Sequence, residues 1–173
     1  EGDRIARIAP EISEDADTVI DLQGKSAAPG FIDVHSHNDW FAIHKNSLPY
    51  FEPFIRQGIT TFVTGNCGLS SIGFEDGTPH LDKIGGGLFG YRGQPDGVYP
   101  DAKRLFEAVD GRGPCNIAVL AGHCSARASV AGYENRKLTP AEEARMLAIL
   151  EENLKAGAAG VSLGLMYNPG VFA

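Results

Sequence analysis

Two patterns of apolar and polar positions divide the chain near Pro29. Ahead of it, residues 3–8 and 18–22 alternate β-branched apolar residues with polar ones, and an acidic, Pro-containing turn lies between. Alternation over so short a run is the signature of a half-buried strand, so two antiparallel strands are expected. Residues 1–28 therefore read as part of a small β-sandwich domain, closed by Gly24-Lys25 and punctuated by Pro29-Gly30.

Beyond Gly30 the period changes. Phe31–Val34 is a short apolar run, as a buried strand requires. Leu48–Gln57 carries apolar residues at helical spacing and stops at Gly58, a favourable C-terminal cap. Ile59–Val63 reads as a second strand. Asp101 opens a helix bearing Leu105, Phe106 and Val109, and Asn116–Leu120 reads as a third strand. Thr139-Pro140-Ala141-Glu142 is a capping box with Pro at the first helical position, and its helix runs to Gly157, ahead of a fourth strand at Ala159–Leu163. Strand–helix alternation implies a parallel sheet and an α/β fold. A complete (β/α)₈ barrel takes roughly 250 residues. The whole chain has 173, so residues 29–173 are expected to form the first half of a TIM-type barrel, about four strands. A small four-stranded α/β domain is the alternative.

Composition narrows the function classes. Hydrophobic residues make up 43% and charged residues 21%, which is globular. A net charge of −7 with no basic stripe argues against nucleic acid, since phosphate recognition needs clustered Lys and Arg. Apolar runs fall far short of the ~20 residues that cross a bilayer, so no membrane partner is expected. The sequence opens at Glu1 without a Met or a signal-peptide pattern. Its three cysteines, Cys67, Cys115 and Cys124, lack framework spacing and suggest reduced thiols in a cytoplasmic protein.

Candidate chemistry gathers at the ends of the strands. In His35-Ser36-His37 the two imidazoles sit two positions apart, on one face of an extended chain, where both can converge on one metal. Cys67, flanked by Gly68 just past the second strand, can reach the same ion, and thiolate is a good zinc ligand. A small buried thiol is the structural alternative for Cys67, and is the reading for Cys115. The Gly85-Gly86-Gly87 run lacks the Gly-Lys-Ser/Thr ending of a phosphate loop, so a mobile active-site loop is expected there.

Pro29-Gly30-Phe31-Ile32-Asp33-Val34-His35-Ser36-His37 resembles the entry motif of the metal-dependent amidohydrolase superfamily, whose two histidines bind metal. Gln57–Gly68, ending Thr64-Gly65-Asn66-Cys67-Gly68, is similar to the motif of the N-acyl-D-amino-acid deacylases, the D-aminoacylases, in which the Cys is a zinc ligand. Many amidohydrolases instead carry a bridging carboxylated Lys at the end of strand four, and residues 160–167 contain none. A cyclic-amide hydrolase of the dihydroorotase or hydantoinase kind therefore fits less well. A non-catalytic metal- or ligand-binding domain is the rival outside enzymes.

The resemblance covers nearly the whole chain and implies zinc-dependent hydrolysis of a small N-acyl-D-amino acid to a carboxylate and a D-amino acid. It also implies roles for further residues. Gly122-His123-Cys124-Ser125-Ala126-Arg127 is similar to the family's Gly-His-x-x-x-Arg stretch, with Ala126 where a larger aliphatic is usual. His123 is a candidate substrate or metal contact, or else a histidine hydrogen-bonded within the barrel top. Arg127 either steers an acidic substrate or, as the preferred reading, pairs with a nearby carboxylate. Tyr167, in Gly-x-x-Tyr-x-Pro, matches a substrate-contacting tyrosine, and Asp39 is placed to orient a ligand histidine. The family's later His ligands and its general-base Asp would lie beyond residue 173. The 173-residue chain by itself is thus expected to be inactive, and to self-associate or need the rest of the polypeptide.

Overall fold

A computed structural model describes residues 4–75, 77–80 and 99–172. Four parallel strands form one sheet in the order β1-β2-β3-β4: β1 (Phe31–Asp33), β2 (Ile59–Thr64), β3 (Asn116–Gly122) and β4 (Gly160–Ser162). Each strand lies beside its neighbour in sequence, as is usual for consecutive elements. The connections carry α1 (Asp39–Ala42) and α2 (Leu48–Ile55) after β1, α3 (Ala102–Val109) before β3, and α4 (His123–Ala131) and α5 (Pro140–Lys155) between β3 and β4. The result is four successive strands of a half barrel, with helices packed on one face.

Local chemistry explains the boundaries. At the start of α5, Thr139 Oγ1 accepts from the Glu142 amide (3.3 Å) and the Glu142 carboxylate accepts from the Thr139 amide (2.8 Å), with Pro140 at the first helical position. At the start of α3 the Asp101 carboxylate accepts from the Arg104 amide (2.9 Å). Each cap satisfies amides that the helix itself leaves without partners.

The helix-covered face holds two apolar clusters that fix the strands. On β3, Val119 and Ala121 meet Leu105 of α3 and Met146, Ile149 and Leu150 of α5, all buried. On β2, Phe62 is fully buried between Phe51 and Phe54 of α2, with ring centroids 5.4 and 5.3 Å away in edge-to-face geometry. Burying one such ring stabilises by roughly 1.5–3 kcal/mol. Much of the sheet is left uncovered: Phe31 and Ile32 of β1, Val161 of β4, and Val34 and Leu163 just past those strands are all exposed.

Two differences from the sequence reading stand out. No strand forms in residues 4–30, where Ile5, Ile8, Val19 and Ile20 are each at least three-quarters exposed. Alternation supplies an apolar face but nothing to cover it, and a lone two-stranded ribbon is marginal in water. Helix α4 was not expected. It is buried on nearly every side, so it lacks the amphipathic stripe that betrays a helix. The glycine run 85–87 lies outside the described residues.

Candidate metal centre

The site is built at the C-terminal ends of β1 and β2. Past Asp33 the chain bends at Val34 and His35, where the His35 amide donates to Asp33 Oδ1 (3.1 Å), and is tied by Ser36, whose amide and hydroxyl both donate to the Val63 carbonyl at 3.1 and 3.3 Å. His35 and His37 flank that anchor, their rings 6.0 Å apart between centroids. From β2 the chain turns through Gly65-Asn66-Cys67-Gly68. The Asn66 amide reaches back to the carbonyls of Val63 (3.0 Å) and Ser36 (3.3 Å), so this turn is fastened to the residue between the two histidines.

The outcome is a convergent donor set. One ligand atom each from His35, His37 and Cys67 lie within 4.8 Å of one another. Cys67 Sγ is 3.3 Å from His35 Nε2. Two imidazoles and a thiol at this separation are the borderline-soft donors that zinc takes in tetrahedral sites, so the residues fit such an ion. Burial holds the His37 pKa below its ordinary value; His35 acts in the same sense, and the Asp39 carboxylate opposes them. Neutral imidazole is the form that ligates.

Cys115 and Cys124 stand apart from this set. Burial pushes both thiols up, away from thiolate. Cys124 Sγ donates to the Gly164 carbonyl (3.2 Å), and Cys115 lies against the Ile59 carbonyl at the far end of β2.

Other residues singled out in the sequence surround this centre. Asp39 is fully buried. Its carboxylate accepts from Thr64 Oγ1 (2.5 Å) and the Ser71 amide (2.7 Å), and lies close enough to His37 to interact with its charge. Tyr167 donates its hydroxyl to the Cys67 carbonyl. His123 is the first residue of α4 rather than the end of β3. It is buried, its Nδ1 finds no hydrogen-bond partner, and burial followed by the Arg127 charge holds its pKa down. It does not join the three-residue cluster. Arg127 is fully buried, and its Nη2 donates to the Arg136 carbonyl at 2.5 Å. Instead of Arg127, it is Arg136 that takes the carboxylates, those of Glu142 and Glu134, each at 2.7 Å.

Sequence reasoning missed Ser162. Its hydroxyl accepts from the Gly68 amide (2.9 Å) and donates to the Gly65 carbonyl (2.5 Å), bracketing Cys67. Its signal was the absence of a Lys ligand on strand four, which left open what that strand does instead.

Known proteins resemble this chain along nearly its whole length. A D-aminoacylase of Alcaligenes xylosoxydans xylosoxydans is 38% identical over 170 residues, covering 97% of this chain and 33% of its own length. An N-acyl-D-glutamate deacylase from the same organism is 35% identical over 170 residues, covering 98% and 33%. Among solved structures, an N-acyl-D-glutamate deacylase from Bordetella bronchiseptica, complexed with zinc and a phosphonate inhibitor, superposes with a TM-score of 0.65 at 34% identity, covering 84% of this chain and 29% of that one. The chain thus spans about a third of the length of the curated relatives it matches. The amidohydrolase family model matches residues 18–173, and with the half barrel and its His-x-His and Cys donors this places the chain in the amidohydrolase family.

Proposed function

We propose that this chain is the N-terminal portion of a zinc-dependent N-acyl-D-amino-acid deacylase, in which His35, His37 and Cys67 are metal ligands. The observation that carries the reading is the convergence of those three donors within 4.8 Å. Bound zinc would supply Lewis acidity toward an amide carbonyl and make water a better nucleophile near neutral pH.

The chain's own residues do the arranging. Ser36 and Asn66 lock the two strand ends that present the ligands. Asp39, behind His37, gives that imidazole a carboxylate neighbour in a buried setting. Tyr167, seated beside Cys67, borders the space a substrate on the metal would occupy. His123, buried at the start of α4 with its Nδ1 unpartnered, is the candidate contact for the acyl or carboxylate group of a substrate, while Arg127 is held by the Arg136 carbonyl. The remaining ligands and the general base would come from strands five to eight of the same polypeptide, which would also cover Phe31, Ile32, Val161 and Leu163. Among the described residues no helix is long and apolar enough to cross a membrane, and a cytoplasmic enzyme with a small-molecule substrate is the reading adopted.

The test uses the polypeptide as its gene encodes it. Elemental analysis should find at least one zinc per chain, and Cys67→Ala should lose most of the metal and the activity while Cys115→Ala keeps both. N-acetyl-D-amino acids should be hydrolysed in preference to their L counterparts and to hydantoins. Equal metal content in the two Cys variants, or preference for a cyclic amide, would overturn the proposal.

A further inference from the structure

Strand β4 contributes none of the three clustered donors, yet its side chains reach into the turn that supplies one. That turn is unusual. Gly65, Cys67 and Gly68 have φ of 75°, 58° and 74°. Glycine adopts such angles freely, but for a side-chain-bearing residue they cost roughly 1–2 kcal/mol. A conformation of that kind persists only where its surroundings over-determine it.

Here they do. Every carbonyl of the turn accepts a hydrogen bond: Gly65 from Ser162 Oγ (2.5 Å), Asn66 from the Leu69 amide (3.0 Å), Cys67 from the Tyr167 hydroxyl, and Gly68 from the Ser125 amide (3.0 Å). Ser162 also takes the Gly68 amide at 2.9 Å, so one hydroxyl ties together the two ends of the turn on either side of the thiol. The segment after β4 is pressed against the same turn. A Cβ on Gly164 would lie 2.0 Å from the Cys67 carbonyl oxygen and 2.3 Å from the Tyr167 hydroxyl. A Cβ on Gly68 would lie 2.8 Å from the Gly164 amide nitrogen. There is room for the clamp only because both positions are glycine.

We infer that Ser162 and Tyr167 are positioning residues for the metal centre, holding Cys67 in the left-handed conformation that aims its sulfur at His35 and His37. Strand four thus serves the ion through another residue's backbone. The inference rests on the metal-site reading above. It differs from plain packing, because a clamp that only stabilised the fold would leave the sulfur's affinity for an ion unchanged once the chain had folded.

The experiment takes the full gene product, strips it with chelator and reloads it with zinc or cobalt(II) alone. Zinc affinity is read by competition with a chromophoric chelator. The cobalt–sulfur bond is read from the thiolate-to-cobalt charge-transfer absorption, and far-UV circular dichroism checks the apoprotein fold. Ser162→Ala should weaken zinc binding about 10- to 100-fold, the usual range for groups that orient metal ligands, and diminish the cobalt–thiolate band. Ser162→Thr, which keeps the hydroxyl, should restore both. Tyr167→Phe should shift both readouts in the same direction by a smaller factor, and it decides the matter if Ser162→Ala does not fold. Wild-type affinity and absorption in Ser162→Ala and Tyr167→Phe would overturn the positioning role, provided Cys67→Ala loses the metal. A Cys67→Ala variant that binds both ions like wild type would instead overturn the metal site itself.

Discussion

Thr64→Val removes one hydroxyl from the buried link between the two strands that carry the three clustered donors. Thr64 Oγ1 donates to Asp39 Oδ1 (2.5 Å) and accepts from the Asp39 amide (3.0 Å), and neither residue is exposed at all. Burial pushes the Asp39 pKa up, and the bonds from Thr64 and Ser71 pull it back. Valine has nearly the same shape, so no cavity forms, but a buried amide and a buried carboxylate oxygen each lose a partner. An unsatisfied buried group costs roughly 1–3 kcal/mol, so we expect a loss of about 3 kcal/mol. Urea unfolding of the gene product measures it directly, with Trp40, which is buried beside Asp39, as the local fluorophore. Thr64→Ser keeps the hydroxyl and should lie within about 1 kcal/mol of wild type. Because Asp39 stands two residues after His37, zinc affinity should fall alongside stability in the valine variant. A Thr64→Val protein within about 0.5 kcal/mol of wild type, the range of an uninvolved surface change, would refute the reasoning.

Two further outcomes follow from other parts of the structure. His123 is held below its ordinary pKa by burial and then by Arg127, so below about pH 6.5 the unfolded chain binds the proton more readily than the folded one. Its contribution to stability is complete above that pH and is lost as pH falls. Unfolding free energies at pH 7.5 and 5.5 should therefore show wild type losing more than His123→Gln; a difference independent of pH would refute this. The 173-residue chain purified alone should self-associate by light scattering and show no deacylase activity, because β1 and β4 have unpaired edges and Phe31, Ile32, Val161 and Leu163 are exposed. An active, monodisperse chain would show that the site is complete within it.

Most of the scaffold was legible because its signals are local. The capping box at Thr139, the glycine stops at Gly58 and Gly157, and the β-branched runs each act over a few residues, and four strands and three helices appear where those signals lie. The clustering of three donors was legible for a related reason: a two-residue spacing keeps His35 and His37 together at the end of β1, and parallel order brings Cys67 beside them. Strands do not form in residues 4–30 because alternation states a preference that only a covering layer can realise. Helix α4 was missed because complete burial erases the periodicity by which a helix is recognised. The carboxylate partner preferred for Arg127 is not found, because its partner is a main-chain carbonyl, and carbonyls have no residue type to read.

What the amino-acid sequence determined by itself is the order of the four strands and of three helices, the half-barrel plan and the identity of the clustered donors, since each depends on spacing along one segment. What only the tertiary structure decided is the conformation of the Cys67 turn and the hydroxyls that hold it. Ser162 stands 94 residues from Gly68 and Tyr167 stands 100 from Cys67. Contacts at that separation exist only after the sheet has assembled, when β4 is laid down beside β3 and the two ends of the turn come within reach of one side chain.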